Sequence, residues 1–232
     1  MKLDWIIPAA GQGRRMGGSV NKLLLIVGGR SIFYHTLSNI AKLGTAGRLL
    51  VLCREEEQSL LEQEVKGVDW GDLELVWLRG GKERSDSVRN GLDYLLKNPQ
   101  ASVVLTHDGA RPFLTSRLVA ELVAGLEQFE VTVPAMPVSE TTRRQLVGKT
   151  EVVDREQLYL IQTPQAFKAK SIEQVFFSPE SLEAPLTDEA SFFEAANLSV
   201  GLVPGEIKNI KLTRPDDLRL AEIYLKNFMV DP

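Results

Sequence analysis

The chain has 232 residues, of which 44% are hydrophobic and 25% charged, and its formal net charge is −4. This is enough apolar material for one sizeable core, so we expect a single α/β domain over residues 1–232. The weakly acidic net charge does not favour a nucleic-acid partner. No run approaches the roughly 18 apolar residues of a membrane span. The first predicted strand begins so near the N-terminus that we expect no signal peptide.

Short apolar runs alternate with amphipathic stretches along the first half of the chain. This alternation predicts a Rossmann-like α/β fold, with a mostly parallel sheet flanked by helices. Ser31 and Ser116 are predicted N-caps, and Gly44 and the pair Asn98-Pro99 are predicted helix stops. In chain order the predicted elements are strand 5–7, helix 32–43, strand 49–53, helix 56–65, strand 73–78, helix 87–96, strand 103–106 and helix 118–129.

The single cysteine, Cys53, ends an apolar run and is predicted to be a buried strand residue. It cannot form a disulfide within the chain, which is consistent with a reducing, cytoplasmic location.

The alternation of apolar runs with amphipathic stretches is interrupted after residues 131–133. Alternating residues over 141–153, around Gly148, predict a β-hairpin that no helix covers. A two-stranded arm is only marginally stable in water, so we expect the arm, about 138–156, to protrude and pack on a second subunit in a homodimer. The alternative is an arm folded back on its own domain. The remaining predictions are strand 159–161, helices 171–177 and 188–195, strand 199–203 and a closing helix 215–228.

The first strand runs into a glycine loop followed by paired arginines. Residues 8–16 read Pro-Ala-Ala-Gly-Gln-Gly-Arg-Arg-Met, and no acidic residue lies between Asp4 and Glu55. Glycines let backbone N–H groups approach phosphate oxygens, and guanidinium groups bind those oxygens through a fixed fork. We therefore predict a nucleoside triphosphate site that includes Gly11 and Gly13. The alternative is a tight strand-to-helix turn with solvated arginines.

Two familiar glycine motifs do not fit. The dinucleotide fingerprint requires a third glycine where Met16 stands, and an acidic residue about 20 positions further on. The P-loop requires a spacing and a hydroxyl that residues 80–83, Gly-Gly-Lys-Glu, do not have.

With two histidines and one cysteine, the chain offers little for nucleophilic catalysis, and it has no ligand spacing for zinc. We assign no metal-ligating residue. Nucleotidyl transfer fits this restriction, because a phosphate monoester has its second pKa near ~6 and needs no protein base. Positioned cations, with Arg15 and Lys22 as candidates, and Mg²⁺ would stabilise the charge that develops at phosphorus.

Several motifs in a fixed order give this chain a specific resemblance. It resembles the 2-C-methyl-D-erythritol 4-phosphate cytidylyltransferases. This implies transfer of a cytidylyl group from CTP to methylerythritol phosphate with release of diphosphate, Mg²⁺ held mainly by the CTP phosphates, and a homodimer. The matching segments are 8–16 with Lys22, 80–84, 86–88, 107–112, 153–155, 163–165, 187–191 and 209–211.

The resemblance also implies residue roles. Arg15 and Lys22 would stabilise the transition state, and Asp108 would lie between the ribose, the metal region and the acceptor. Thr141 and Arg155, in the arm, would reach the neighbouring subunit's site. Residues that would face the cytosine are Ala9, Ala10, Gly81, Lys82 and Ser87. Residues on the acceptor side would be Arg111, Thr163, Thr187 and Lys211.

Some interpretations stay open at this point. Ser87 and Asp86 could instead be helix N-caps, and Asp108 could merely cap a turn. Asn21 and Gly109 stand where the family usually has proline and alanine, which predicts looser backbone near Lys22 and Asp108.

Two rival functions remain at the sequence level. One is a cytidylyltransferase that uses another polyol phosphate, such as ribitol 5-phosphate. The other is a nucleotide-sensing protein without turnover, which the presence of both Arg15 and Lys22 argues against.

Overall fold

A computed structural model of the chain describes residues 1–11, 21–176 and 188–228. Within these ranges the strands are β1 (Lys2–Pro8), β2 (Ile26–Val27), β3 (Arg30–Ser31), β4 (Ala46–Cys53), β5 (Leu73–Arg79), β6 (Val103–Thr106), β7 (Val131–Pro137), β8 (Thr142–Leu146), β9 (Lys149–Val153), β10 (Tyr159–Ile161), β11 (Gln165–Lys168) and β12 (Val200–Pro204). The α-helices are α1 (Ile32–Lys42), α2 (Glu55–Glu64), α3 (Arg84–Lys97), α4 (Ser116–Gly125), α5 (Ile172–Phe176), α6 (Glu189–Ala195) and α7 (Pro215–Phe228).

The central sheet has the strand order β10-β7-β11-β6-β1-β4-β5, and β12 pairs with β7. Strands β6, β1, β4 and β5 are parallel neighbours, whereas β10 and β11 run antiparallel to β7. The predicted mostly parallel α/β sheet is therefore confirmed. Strand β11, which inserts antiparallel between β6 and β7, was not predicted.

The core lies on both faces of this sheet. Strand β1 is buried from Leu3 to Ile7, as is usual for a parallel strand covered on both sides. Its alternate residues enter different clusters: Trp5 packs with α1, α2, α4 and α7, and Ile6 packs with α3, α5 and α6. Burial on both faces explains why these strands read as continuous apolar runs.

Two predicted helix ends are confirmed. The Ser31 hydroxyl accepts a hydrogen bond from the Tyr34 N–H at 3.1 Å and caps α1. Helix α3 ends at Lys97, just before the predicted stop at Asn98.

One predicted cap and one predicted helix start are wrong. Ser116 is the first residue of α4, and the N-cap is Thr115. The Thr115 hydroxyl accepts a hydrogen bond from the Leu118 N–H at 3.1 Å. Helix α3 begins at Arg84 rather than at residue 87, because the N-cap Glu83 and its third helical residue Asp86 form a capping box. Ser87 is therefore a buried residue inside the helix.

The predicted hairpin is present. Strands β8 and β9 pair antiparallel as a separate two-stranded sheet, with Leu146 opposite Lys149. Gly148 in the connecting turn has φ 73°, a left-handed conformation that glycine adopts readily. Val147 and Val152 are exposed on this arm. The role of the arm in a homodimer stays a prediction.

None of the helices in the described ranges has the length and apolar character that crossing a bilayer requires.

Candidate active site

A cavity of about 900 Å³ opens at the carboxyl ends of the parallel strands. This is the edge at which open α/β sheets bind their ligands. Ala9 is buried directly after β1, where its N–H donates to the Leu52 carbonyl at 2.8 Å. The predicted site residues that line the cavity are Ala10, Gly11, Lys22, Gly81, Lys82, Ser87, Asp108 and Lys211.

Two glycines form a tightly packed wall of this cavity. A Cβ added to Gly80 would lie 2.6 Å from the Ala10 Cβ, and one added to Gly81 would lie 2.1 Å from the Asp86 Cβ. The Gly81 N–H donates to the Ser87 hydroxyl at 3.0 Å. Only glycine permits this close approach of the loop to the start of α3, so both positions depend on the missing side chain.

Lys22 also lines the cavity, and it begins a short 3₁₀ turn, Lys22–Leu24. Its ammonium donates to the Leu212 carbonyl at 3.2 Å. The preceding Asn21 is buried, and its side chain accepts from the Leu23 N–H at 3.1 Å and donates to the Ala9 carbonyl at 2.9 Å. These hydrogen bonds hold the Asn21 side chain in place, and the expectation of a looser backbone here stays a prediction.

Gly109 is also held in place. Its carbonyl accepts a hydrogen bond from the Thr36 hydroxyl at 2.8 Å, and a Cβ here would lie 3.1 Å from a methyl group of Leu23. The glycine thus makes room for Leu23 beside Asp108, and the expected loosening stays a prediction.

Three cations converge on the buried carboxylate of Asp108. Arg84 Nε lies 3.1 Å from Oδ1, and Lys211 Nζ and Arg111 Nε lie 2.8 Å and 3.4 Å from Oδ2. Burial alone would raise the pKa of Asp108, but these three charges outweigh it and hold that pKa well below its usual range. Asp108 is therefore ionised, and its carboxylate can accept hydrogen bonds where it lines the cavity. This favours a role in ligand binding over that of a simple turn cap.

Arg84 and Glu189 were not among the predicted site residues. Arg84 lines the cavity and binds Glu189 through two hydrogen bonds, of 2.6 Å and 3.1 Å. Burial would lower the pKa of Arg84, but the Glu189 and Asp108 carboxylates raise it. Both residues lie in motifs that carried the family resemblance, so the sequence could have indicated that they belong to the site. Nothing in the sequence indicated that they form an ion pair with each other.

The segment behind Asp108 is held by a neutral histidine. Burial lowers the pKa of His107 to about 4. Its Nε2 lies 3.0 Å from the Arg111 carbonyl and its Nδ1 lies 3.2 Å from the Thr163 hydroxyl, which accepts from the Asp108 N–H at 3.0 Å. This pattern fits a ring that donates from Nε2 and accepts at Nδ1. Thr163 thus supports the backbone of Asp108, and His107 orients the loop.

Arg111 is also largely buried. Its guanidinium contacts Asp108 and donates to the Asn209 carbonyl at 2.7 Å. It thereby joins the Asp108 loop to the segment that carries Lys211.

Two further predicted residues, which the structure describes, do not line this cavity. Thr141 and Arg155 lie exposed on and beside the hairpin arm, where Arg155 donates to the Ser139 carbonyl. Gly13, Arg15 and Thr187 lie outside the described residues, so their predicted roles stay predictions.

A metal ion in this cavity would have to be held largely by the phosphates of a bound substrate. In the part of the chain that the structure describes, no group of three or more histidine, cysteine or acidic side chains could hold an ion. Asp108 supplies a buried, ionised carboxylate at the cavity. One carboxylate together with substrate phosphates is a common donor set for Mg²⁺, so the residues present fit an ion carried by a nucleotide.

Comparison with known proteins decides the family. A sequence model described as IspD, 2-C-methyl-D-erythritol 4-phosphate cytidylyltransferase, matches residues 3–227. The chain belongs to this family. Among curated members of the IspD family, the Bacillus mycoides protein is 37% identical over 221 residues, covering 95% of this chain and 96% of its own. The Syntrophotalea carbinolica protein is 38% identical over 228 residues, covering 97% of each.

Solved IspD structures share the fold. A 4-diphosphocytidyl-2C-methyl-D-erythritol synthase from Anaerococcus prevotii has a TM-score of 0.80 at 29% identity, covering 97% of this chain and 98% of its own. The cytidylyltransferase from Thermus thermophilus has a TM-score of 0.76 at 29% identity, covering 97% and 100%. The family resemblance drawn from the motifs is therefore confirmed.

Proposed function

We propose that this chain transfers the cytidylyl group of CTP to 2-C-methyl-D-erythritol 4-phosphate, giving 4-diphosphocytidyl-2-C-methyl-D-erythritol and diphosphate. The observation that carries the proposal is the cationic cavity at the strand ends of a chain of the IspD family. Arg84 and Lys211 contact Asp108 there, and Lys22 lines the same cavity. Its volume, about 900 Å³, is within the range of small-molecule sites.

In this mechanism a phosphate oxygen of the acceptor attacks the α-phosphorus of CTP. The new bond joins that oxygen to phosphorus, and the bond to the bridging oxygen of diphosphate breaks. Lys22, together with Arg15, stabilises the negative charge that grows on the phosphoryl oxygens. No proton has to be removed, because the acceptor phosphate is already anionic at neutral pH.

The base and the acceptor would occupy different parts of the cavity. The cytosine would lie against Ala10, Gly81 and Ser87, where a small pocket formed mainly by backbone groups rejects purines by size. The acceptor would lie near Lys211 and Arg111, across Asp108 from the glycine wall. Mg²⁺ bound to the CTP phosphates would offset charge on the departing diphosphate.

We further propose that the protein is a cytoplasmic homodimer in which Thr141 and Arg155 of the arm complete the neighbouring site. The support is their position: both residues are exposed on or beside the arm, and neither lines the cavity of its own subunit as the structure describes it. The single cysteine fits a reducing compartment.

The decisive experiment measures diphosphate release by the purified chain with CTP, Mg²⁺ and methylerythritol phosphate. We expect turnover with this acceptor and none with ribitol 5-phosphate. Binding of CTP without release of its diphosphate in the presence of methylerythritol phosphate would rule out the proposed reaction and favour a nucleotide-sensing protein.

A further inference from the structure

The turn that carries Lys22 is fastened to two other parts of the molecule by one side chain. The Asn21 amide nitrogen donates to the Ala9 carbonyl at 2.9 Å and to Glu57 Oε2 at 3.0 Å. Its amide oxygen accepts from the Leu23 N–H at 3.1 Å. Asn21 and Leu23 are both buried, so the residues on either side of Lys22 have little freedom to move.

The far end of this connection is Glu57, in the first turn of α2. Its carboxylate is held by Arg54, which donates from Nε to Oε2 at 3.1 Å and from Nη2 to Oε1. Glu57 is only 7% exposed. Arg54 also lies within 3.6 Å of Glu56. A forked guanidinium fixes the plane of a carboxylate, and Oε2 is thereby aimed at Asn21.

The two amide hydrogens of Asn21 make the contact with Glu57 indispensable to the turn. One hydrogen satisfies the Ala9 carbonyl and the other satisfies Glu57. Without an acceptor at residue 57, a buried N–H would be left unpaired. The amide would then rotate or shift, and the bond to Ala9, which ties the turn to the start of the glycine loop, would be lost with it.

We propose that Glu57 is a positioning residue for the transfer reaction: through Asn21 it holds the backbone of Lys22 so that the ammonium lies in the cavity before the substrates bind. This inference rests on the proposed function. Glu57 itself does not line the cavity, whereas Lys22 does. A cation that is already in place costs no reorganisation at the moment of reaction, and a displacement of about 1 Å can cost on the order of 10²-fold in rate.

The test uses Glu57→Gln, Asn21→Asp and the double variant, in the full-length protein. Glu57→Gln removes the charge that Arg54 grips but keeps the shape, and we expect kcat to fall about tenfold while the Kd for CTP changes less than about threefold. Asn21→Asp places a second carboxylate against Glu57 and should lower kcat further. In the double variant the amide introduced at position 57 can donate to the carboxylate introduced at position 21, which relieves the repulsion between two carboxylates. We expect kcat to recover only in part, by about twofold or more relative to Asn21→Asp, because the donor to the Ala9 carbonyl stays lost.

The matched control is Glu62→Gln, an exposed position on the same helix, which should leave kcat unchanged. A role confined to stability would lower the Tm of Glu57→Gln but leave kcat per folded enzyme at the wild-type value, and that result would overturn the proposal. Absence of recovery in a folded double variant would overturn it as well. Should Glu57→Gln not fold, Glu57→Asp, which keeps the charge but shortens the reach, provides the same measurement.

The same assay separates this inference from the proposed function. A wild-type protein that releases no diphosphate contradicts the function. An active wild type with an unaffected Glu57→Gln variant contradicts only the positioning role.

Discussion

At the scale of single residues, charge is arranged in the site so that cations outnumber the carboxylates they contact. Asp108 engages Arg84, Arg111 and Lys211, and Glu189 shares Arg84. The cluster of these five side chains therefore carries a net charge of about +1 before Lys22 is added. A polyanionic substrate compensates this excess, which is the electrostatic reason why the cavity suits a nucleoside triphosphate.

The first residue-scale prediction concerns Lys22. Lys22→Ala should lower kcat by about 10²-fold or more, because a preorganised cation at the reacting phosphate is lost. Steady-state diphosphate release measures the effect, and circular dichroism verifies that the fold persists. Lys66→Ala, at an exposed position after α2, is the control. Near-normal turnover of Lys22→Ala would remove Lys22 from the mechanism.

A second residue-scale prediction concerns stability against pH. His107 has its pKa lowered from 6.5 to about 4 by burial, so below pH 6.5 the unfolded chain binds a proton that the folded chain does not. The free energy of unfolding should therefore fall as the pH drops from about 6.5 toward 4, by about 1 kcal/mol per pH unit from this group.

Urea unfolding between about pH 7 and pH 5, at one protein concentration, measures this slope. His107→Gln should unfold with a smaller pH dependence than the wild type, whatever its stability at neutral pH. Equal slopes for the two proteins would contradict a neutral His107 in the folded state.

At the scale of elements, the site depends on how the chain leaves each strand. Strand β1 leads into Ala9, β4 into Arg54 and β5 into Gly80, so three strand ends meet at one cavity. The N-terminus of α3 then begins just beyond Gly81 through a capping box between Glu83 and Asp86. Local geometry of these short connections, rather than the strands themselves, sets the shape of this part of the cavity.

The element-scale prediction is that Gly81→Ala weakens CTP binding about tenfold or more. The new Cβ would lie 2.1 Å from the Asp86 Cβ, so the loop and the start of α3 must separate. Isothermal titration with CTP measures the effect. Gly109→Ala is the comparison, since its closest contact would be a Leu23 methyl group at 3.1 Å and it should perturb binding less. Wild-type CTP affinity in Gly81→Ala would show that the wall is not part of the pocket.

At the scale of the whole molecule, the hairpin arm stands apart from the central sheet. Strands β8 and β9 pair only with each other among the described strands, and an isolated two-stranded ribbon has little stability of its own in water. Exposed apolar residues also lie on the neighbouring edge strand β10, at Tyr159 and Leu160. A partner that covers the arm would account for both observations.

The prediction at this scale is rescue between two inactive variants. If Arg155 serves the neighbouring site, mixing Arg155→Ala with Arg15→Ala chains gives mixed dimers with one intact site. Random mixing should then restore about a quarter of wild-type activity, because about half of the dimers are mixed and each has one working site of two. Diphosphate release after exchange of subunits measures it. Confirmed mixed dimers without activity would show that Arg155 is not shared.

The α/β class, the hairpin and the family can be predicted from the amino-acid sequence alone. Alternating apolar runs predict buried strands because burial on both faces demands them, and ordered motifs such as residues 8–16 carry chemical meaning without coordinates. The position of Asp108 at the cavity follows from the rule that ligands collect at the carboxyl ends of parallel strands, whereas Lys211 was expected there only from the family resemblance.

Only the tertiary structure decided which charges meet. Arg84 pairs with Glu189, and Asn21 joins Ala9 to Glu57, across distances along the chain that no local pattern spans. The same is true of β11, whose antiparallel insertion between β6 and β7 depends on its neighbours rather than on its own four residues. Propensity and periodicity act over a few residues, whereas ion pairs, buried hydrogen bonds and strand order are set by the packing of distant segments.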